Sequence, residues 1–294
     1  MVNGTRNSSS LTMGILCLLA SAFGFALMAA FVRLCDDFGS PVSSFQKSFF
    51  RNVIALVIAA VVFGRRFRES GMAVRCGGKT WGLILLRATL GTVGIFANFY
   101  ALSHIPIAEG QTLNKTAPFF TVLFSWLFLG EKANLRQALT LVLAFVGVLF
   151  VAKPGFAGDE TFPLAIGLMS GVCAGGAYAC LHKLGLMRVN GAFIILFFSL
   201  FSCLASVPFM VHRFDPMTVA QVATLIGAGA GAAMGQFGIT AAYRYAEPRQ
   251  IAVFDYSSIL FAAVFGFLLF GQVPDALSAV GFAVIVVAAL RMRT

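Results

Sequence analysis

Six ionisable side chains stand inside otherwise apolar runs of this sequence: Lys47, Arg51, Arg87, Glu109, Lys115 and Asp255. A charge at the centre of a bilayer costs at least ~2.5–3.5 kcal/mol on insertion scales, so each is expected to face a partner or a water-filled cavity. Four cations stand against two acids. That excess suits a solute bearing a carboxylate or phosphate, which arginine meets bidentately and lysine as a point charge. Arg51, Arg87 and Lys115 are therefore the leading anion contacts, with Lys47 beside them. Glu109 and Asp255 are expected to pair with cations or to carry a coupling proton. Ion pairs between Arg51 and Glu109 and between Arg87 and Asp255 are the structural alternative, and they still leave two cations over.

Spacing supports a shared cavity, because residues three, four or seven apart lie on one face of a helix. Ser44, Lys47 and Arg51 share such a face. Arg87, Gly91, Gly94 and Asn98 share a second, with two glycines opening a polar stripe between an arginine and an amide. Gln111, Lys115 and Pro118 share a third with Asn114 beside them, and Asp255, Ser258 and Ala262 a fourth. Tyr178, Gln236 and Tyr256 stand on neighbouring runs from which they could reach the same solute. Pro118 has no N–H, so the carbonyl of Asn114 loses its helical partner and the helix kinks there. A freed carbonyl suits a cavity wall better than a lipid face.

The elements that must position these residues are legible from composition. Of 294 residues 59% are hydrophobic and 11% charged, with mean hydropathy +0.91, against about 25% charged in soluble domains. Apolar runs bounded by charge, glycine or proline fall near 12–33, 44–63, 81–103, 107–129, 135–152, 164–182, 191–211, 219–243, 250–270 and 275–290. Each is about long enough to cross a ~30 Å hydrocarbon core as a helix. The shorter alternating strands of a membrane β-barrel are absent from the pattern. The first run resembles a signal peptide but continues to Val32, longer than an h-region, and is read as a retained helix.

Lysines and arginines fix the direction. With the N-terminus inside, fourteen fall in inner segments, five of them between Arg65 and Lys79, and only Arg33, Lys153 and Arg213 fall outside. Both termini are then cytoplasmic, and the net charge of +10 is a topology signal that calls for no nucleic-acid partner. The six cysteines make no CxxC pair and no His/Cys cluster, so neither a disulfide framework nor a metal site is expected. Four lie in apolar runs, and Cys35 and Cys76 lie in loops on opposite faces. No cofactor motif and no catalytic constellation is present. The glycine-rich "GAGAGAAMGQFG" lacks the strand–turn–helix context that gives a phosphate loop meaning.

The chain repeats weakly. "SWLFLGE" (125–131) matches "GFLLFGQ" (266–272), and "HIP" (104–106) matches "AEP" (246–248) at nearly the same offset. Five helices per unit is an odd number, so two units, 11–153 and 163–291, must lie in opposite orientations, the inverted-repeat construction of many secondary transporters. Small-residue stripes, Gly167/Gly171/Gly175 and Gly227/Gly231/Gly235/Gly238, permit close helix approach and sliding.

The stretch "RATLGTVGIFANFYALSHIPIAEGQTLNKTAPFFTVLFSWLFLGEK" resembles the EamA-type carriers of the drug/metabolite transporter superfamily. The resemblance rests on Arg87, Tyr100-Ala101-Leu102, Ile105-Pro106 with Ala108, Pro118, and Leu129-Gly130-Glu131. It implies a ten-helix fold with a central cavity and solute transport, frequently export. The second unit departs from the pattern, with Ile259 where Pro118 repeats and Gln272 where Glu131 repeats.

The expectation is an all-α membrane protein of ten transmembrane helices in two inverted five-helix repeats, a multi-pass protein of the inner or plasma membrane and not an enzyme. It would be a secondary-active exporter or exchanger of a small organic metabolite bearing an anionic group, working by alternating access. Its partners would be the solute, the lipid bilayer, and a coupling proton or counter-solute; no oligomeric state follows. The rivals are a carrier of the same fold for cationic or hydrophobic drug-like solutes, which would depend on Glu109 and Asp255, and a membrane protein without transport.

Overall fold

The computed structural model describes residues 2–40, 42–70, 77–104, 113–152, 161–212, 214–271 and 273–293, so that Glu109 and Gln111 lie outside the described residues. Among these, every regular element is helical. The helices are α1 (Val2–Asp36), α2 (Ser44–Ser70), α3 (Gly78–His104), α4 (Ala117–Leu129), α5 (Leu135–Ala152), α6 (Thr161–Leu186), α7 (Gly191–His212) and α8 (Val219–Tyr245). They are followed by α9 (Pro248–Ile251), a 3-10 segment (Ala252–Tyr256), α10 (Ser257–Phe270) and α11 (Ala276–Arg293).

Seven stretches are long and apolar enough to cross a membrane: Ser10–Asp36, Ser44–Arg65, Gly78–Ala101, Phe162–Leu186, Gly191–His212, Val219–Tyr245 and Pro248–Phe270. Three shorter apolar helices, Ala117–Leu129, Leu135–Phe150 and Ala276–Arg291, accompany them. Large apolar side chains such as Phe128, Leu204, Val211 and Leu268 point outward, while the interior gathers serines, amides and two arginines. That inside-out distribution is the one a lipid solvent selects.

Local chemistry sets the helix ends. Thr218 and Gln221 form a reciprocal capping box at the start of α8, and Asn134 and Gln137 make the same exchange at the start of α5. Helices α4 and α10 stop at Gly130 (φ 73°) and Gly271 (φ 62°). Their left-handed backbone suits glycine and returns each N–H to the carbonyls of Trp126 and Phe267. These two glycines occupy the same place in the two matching turns of the sequence.

The runs expected as unbroken helices at 107–129 and 250–270 are each interrupted. Leu113 and Asn114 are helical, Lys115 and Thr116 form a turn, and α4 begins at Ala117 with Pro118 in its first turn. Two of the backbone bonds there are three-residue ones, Thr116 N–H to the Leu113 carbonyl (3.1 Å) and Phe119 N–H to the Thr116 carbonyl (3.0 Å). In the later run the α-helix tightens to 3-10 over Ala252–Tyr256 before α10 resumes. Such breaks are tolerated at membrane depth where they are buried in protein or line a cavity.

The main packings are α1 on α8, α3 on α6, α2 on α7 and α5 on α11. Helices α4 on α6, α1 on α10, α2 on α8 and α3 on α7 follow. The glycine stripes are where backbones meet. A Cβ at Gly231 would lie 2.9 Å from the Gly24 carbonyl oxygen and the Met28 nitrogen, and one at Gly238 would lie 2.8 Å from the Cys17 carbonyl oxygen. On α6, a Cβ at Gly167 would lie 2.7 Å from Leu113 Cδ1, one at Gly171 would strike Thr116 Oγ1, and one at Gly175 would strike Phe120 Cβ. The α6 stripe is thus the bed of the α4 interruption.

Overpacking of this kind costs ~1–3 kcal/mol. Gly231→Val should therefore lower the unfolding temperature of the purified protein in detergent. Gly64→Ala, where an added Cβ would meet nothing within 4 Å, should leave it unchanged or raise it slightly. Equal unfolding temperatures for Gly231→Val and the wild type would refute the close approach of α1 and α8.

Candidate functional site

Arg51 on α2 and Arg87 on α3 are 6% and 2% exposed. They lie within electrostatic range of each other and of Tyr178 on α6. Arg87 is held from three directions. Its Nη2 donates to Gln236 Oε1 on α8 at 2.9 Å, and its guanidinium lies 4.1 Å from the centre of the Phe198 ring on α7, a cation–π contact. Gly91, one turn on, leaves the space: a Cβ there would strike Arg87 Nη1 and lie 2.8 Å from Phe198 Cε2.

Neither arginine has a carboxylate partner among the described residues. Arg87 Nε and Nη1 and Arg51 Nε are buried without a hydrogen-bond acceptor. Arg51 makes neither a hydrogen bond nor an ion pair with any described residue. Buried guanidinium N–H groups left open are costly in apolar surroundings and mark a place where an acceptor belongs.

Lys115 behaves differently. Its Nζ lies 3.4 Å from Asp255 Oδ2 and donates to Ser258 Oγ, which in turn donates to the Asp255 carbonyl at 2.8 Å. The two helix interruptions therefore meet, one supplying the ammonium and the other the carboxylate. Beside them Asn114 Nδ2 donates to Ser170 Oγ on α6 at 3.2 Å, and Ser170 Oγ donates to the Gly167 carbonyl at 2.6 Å. Tyr178 bridges the two charge groups: it lies within electrostatic range of Asp255 and of both arginines, and its ring centre is 5.9 Å from that of Tyr243. Tyr256 is fully buried with its hydroxyl unpartnered.

Other sequence-derived residues fall elsewhere. Lys47 is bound to Asp36 at 2.6 and 2.8 Å, at the junction of α1 and α2, away from the arginines' partners. Asn98 is on α3 with its Oδ1 buried and unpartnered. The ion pair considered for Arg87 and Asp255 is replaced by Arg87–Gln236 and Lys115–Asp255, because the interrupted helix carries Asp255 onto Lys115. The pair considered for Arg51 and Glu109 has its acid outside the described residues, and Arg51 has no partner among the described ones.

The sequence reading missed a polar seam between α2 and α7. Asn52 Nδ2 donates to Ser202 Oγ at 3.0 Å and approaches Ser48 Oγ at 3.4 Å, and Ser206 donates to the Ser202 carbonyl at 2.8 Å. The spacing of Ser199, Ser202 and Ser206 on one helical face was its signal. Phe198 carried none, being one of 32 phenylalanines.

Comparison with known proteins places this geometry. Residues 12–153 match the EamA-like transporter family. Over 283 residues, 96% of each chain, the sequence is 30% identical to the pseudopaline exporter CntI of Pseudomonas aeruginosa. The chain belongs to the EamA-like transporter family. It is 27% identical to a riboflavin transporter of Vibrio cholerae, covering 93% of this chain and 90% of that one. To human solute carrier family 35 member G1 it is 26% identical, covering 89% and 73%. A protein of known crystal structure shares the fold over 97% of both chains, with a TM-score of 0.79 at 16% identity. This EamA protein is thus a multi-pass membrane protein of a transporter family, and the names of its relatives indicate transport and not enzymatic catalysis.

In the EamA chain the Lys115–Asp255 contact is testable by a double-mutant cycle. Removing one partner leaves a buried charge and costs ~3–5 kcal/mol, whereas replacing both by apolar groups is often near neutral. Lys115→Met and Asp255→Leu should each destabilise strongly, and the double variant should unfold close to the wild type. Additive losses in thermal unfolding would show that the two groups do not interact.

Proposed function

We propose that this protein is a secondary-active carrier of a small organic anion, an exporter or exchanger, and that Arg51 and Arg87 bind its carboxylate or phosphate group. The observation that carries the reading is the pair of buried guanidiniums with open N–H groups and no carboxylate partner among the described residues. Arg87 is oriented by Gln236, Phe198 and Gly91, and Arg51 is left free to close on the solute. Tyr178, Asn98 and Tyr256 line the same region, and Lys115 with Asn114 completes its wall. Asp255, paired with Lys115, and Glu109 are the groups through which a proton or counter-solute would couple.

Ten crossings in two inverted units, 11–153 and 163–291, fit the packing. If each helix is advanced by one five-helix unit, α1 on α8 becomes α6 on α3, and α4 on α6 becomes the later interrupted helix on α1. The pairs α2–α7 and α5–α11 map onto themselves. Loops assigned to one membrane side also meet. Gln46 exchanges hydrogen bonds with the backbone of Asp215, and Gln221 donates to the carbonyls of Cys35 and Ser40. At the opposite end Arg249 donates to the Lys132 carbonyl, Ser10 to that of Tyr245 and Arg136 to that of Arg291. Both termini then lie on the cytoplasmic side of the cell membrane. Alternating access is a rocking of one unit on the other along the glycine stripes. A carrier for cationic solutes is disfavoured by the same geometry, since Asp255 is already matched by Lys115.

The test is a solute panel on the purified protein, read by thermal shift. Carboxylates and phosphates at ~100 times Kd should stabilise by ~2.7 kcal/mol, on the order of 5 °C. Arg51→Met should lose that response yet unfold at or above the wild-type temperature without solute, because it removes an unpaired buried charge. Stabilisation of the wild type by cations alone would overturn the reading.

A further inference from the structure

A buried titratable pair takes no part in the contacts described for the arginines. His182, near the C-terminal end of α6, is 2% exposed. Its Nδ1 lies 2.6 Å from the Tyr243 carbonyl oxygen on α8, and its Nε2 lies 2.8 Å from Glu131 Oε1, just past the end of α4. A carbonyl oxygen only accepts, so Nδ1 must carry a proton. A neutral imidazole of that tautomer would turn a bare Nε2 lone pair on a carboxylate oxygen. The 2.8 Å contact therefore requires a proton between Nε2 and Oε1, held as imidazolium and carboxylate or as imidazole and carboxylic acid. Both forms hold the same number of protons.

We propose that His182 and Glu131 form a proton-binding site that locks the inner end of the carrier, taking up one proton from water as α4 docks on α6 and α8 and releasing it as they part. The inference rests on the inverted-unit topology of the preceding section, in which Glu131 belongs to one unit and His182 and Tyr243 to the other. Separated in water, a histidine (~6.5) and a glutamate (~4.3) at neutral pH are largely imidazole and carboxylate, one proton short of the docked pair. Closure is therefore favoured as pH falls.

Other charges near this end are engaged or stand at the surface. Arg249 Nε binds Glu247 Oε2 at 2.6 Å, and its Nη1 binds the Lys132 carbonyl. Lys183 on α6, Arg188 just beyond it, and Arg244 and Tyr245 on α8 are exposed, as are Lys132, Arg136 on α5 and Lys79 on α3. Arg87, also on α3, is bound to Gln236. Helix α4 carries no ionisable group between Ala117 and Leu129. Among the described residues, the imidazole's hydrogen-bond partners are the Tyr243 carbonyl and the Glu131 carboxylate.

The experiment measures spin-label distances in the full chain in lipid nanodiscs, with labels at Lys132→Cys and Lys183→Cys after the six native cysteines are replaced by alanine. Between pH 5.5 and 8.5 the ratio of short to long distances should fall by up to tenfold per pH unit, as one-proton linkage requires. His182→Gln and Glu131→Gln should each flatten that slope, and Arg244→Gln should keep it. A pH-independent ratio in the wild type, or a slope retained in both His182→Gln and Glu131→Gln, overturns the proposal. Thermal shift on the same preparations reads the anion site separately. An anion response with a flat slope sinks this inference alone, and a slope without an anion response sinks only the solute assignment.

Discussion

Inside a hydrocarbon layer a broken helix has no water to repair it, and an ammonium has none to solvate it. Here two interruptions, at Lys115–Thr116 and at Ala252–Tyr256, answer each other through the contact of Lys115 with Asp255 and Ser258. Much else in the fold follows from that meeting. The segment from Leu113 to Thr121 can reach the later break only by lying flat on α6, and Gly167, Gly171 and Gly175 remove the side chains that would hold it off. Ser170, on the same helix, takes up the Asn114 amide. The interrupted helices thus trade backbone continuity for a polar centre whose charges cancel.

That cancellation isolates the two arginines. Because Asp255 is committed to Lys115, no described acid remains to neutralise Arg51 and Arg87, and theirs is the charge that the proposed anionic solute would meet. They are not equivalent. Arg87 is clamped by an amide, an aromatic face and a glycine-sized recess, so its fork is preorganised and loses little entropy on binding. Arg51 has no described hydrogen-bond partner to fix it, so in the proposed carrier it would adjust to the solute. One fixed and one adjustable cation is a sensible division in a carrier, which must recognise its solute and then release it.

Much of this was legible in the sequence, and the failures have physical reasons. Every central cation announced itself as a charge in an apolar run, and the Arg87–Gly91–Gly94–Asn98 face followed from helical periodicity alone. The matching turns at Gly130 and Gly271 could be read because a left-handed cap selects glycine wherever it recurs. Pairing was harder. Asp255 lies 3.4 Å from Lys115 across 140 positions of sequence, and the 3-10 segment that aims it carries no proline, with Ile259 standing where Pro118 would repeat. The His182 contact left no signal in the sequence, because its carboxylate comes from a distant turn and its carbonyl from the backbone of a third helix. Contacts made by backbone atoms leave no mark on residue type.

The two ends of the molecule are closed by different chemistry, and the difference bears on how a carrier cycles. At the end expected to face outward, the two proposed units are linked by hydrogen bonds from Gln46 and Gln221 to backbone and from Ser43 N–H to Asp215 Oδ2 at 2.8 Å. The Lys47–Asp36 ion pair there joins α1 to α2 within one unit and can persist in either state. At the opposite end the His182–Glu131 contact joins the two proposed units beside backbone hydrogen bonds from Ser10, Arg136 and Arg249. Neutral bonds to backbone are individually worth ~0.5–1.5 kcal/mol and change little with pH, whereas a bond that needs a proton is worth only what the local pH allows. Alternation requires that neither closed end dominate, since a solute can shift the balance only by its difference in affinity for the two states. In the proposed cycle, an inner closure whose strength depends on protonation can be matched to an outer closure built largely of neutral hydrogen bonds, without rebuilding either set of contacts.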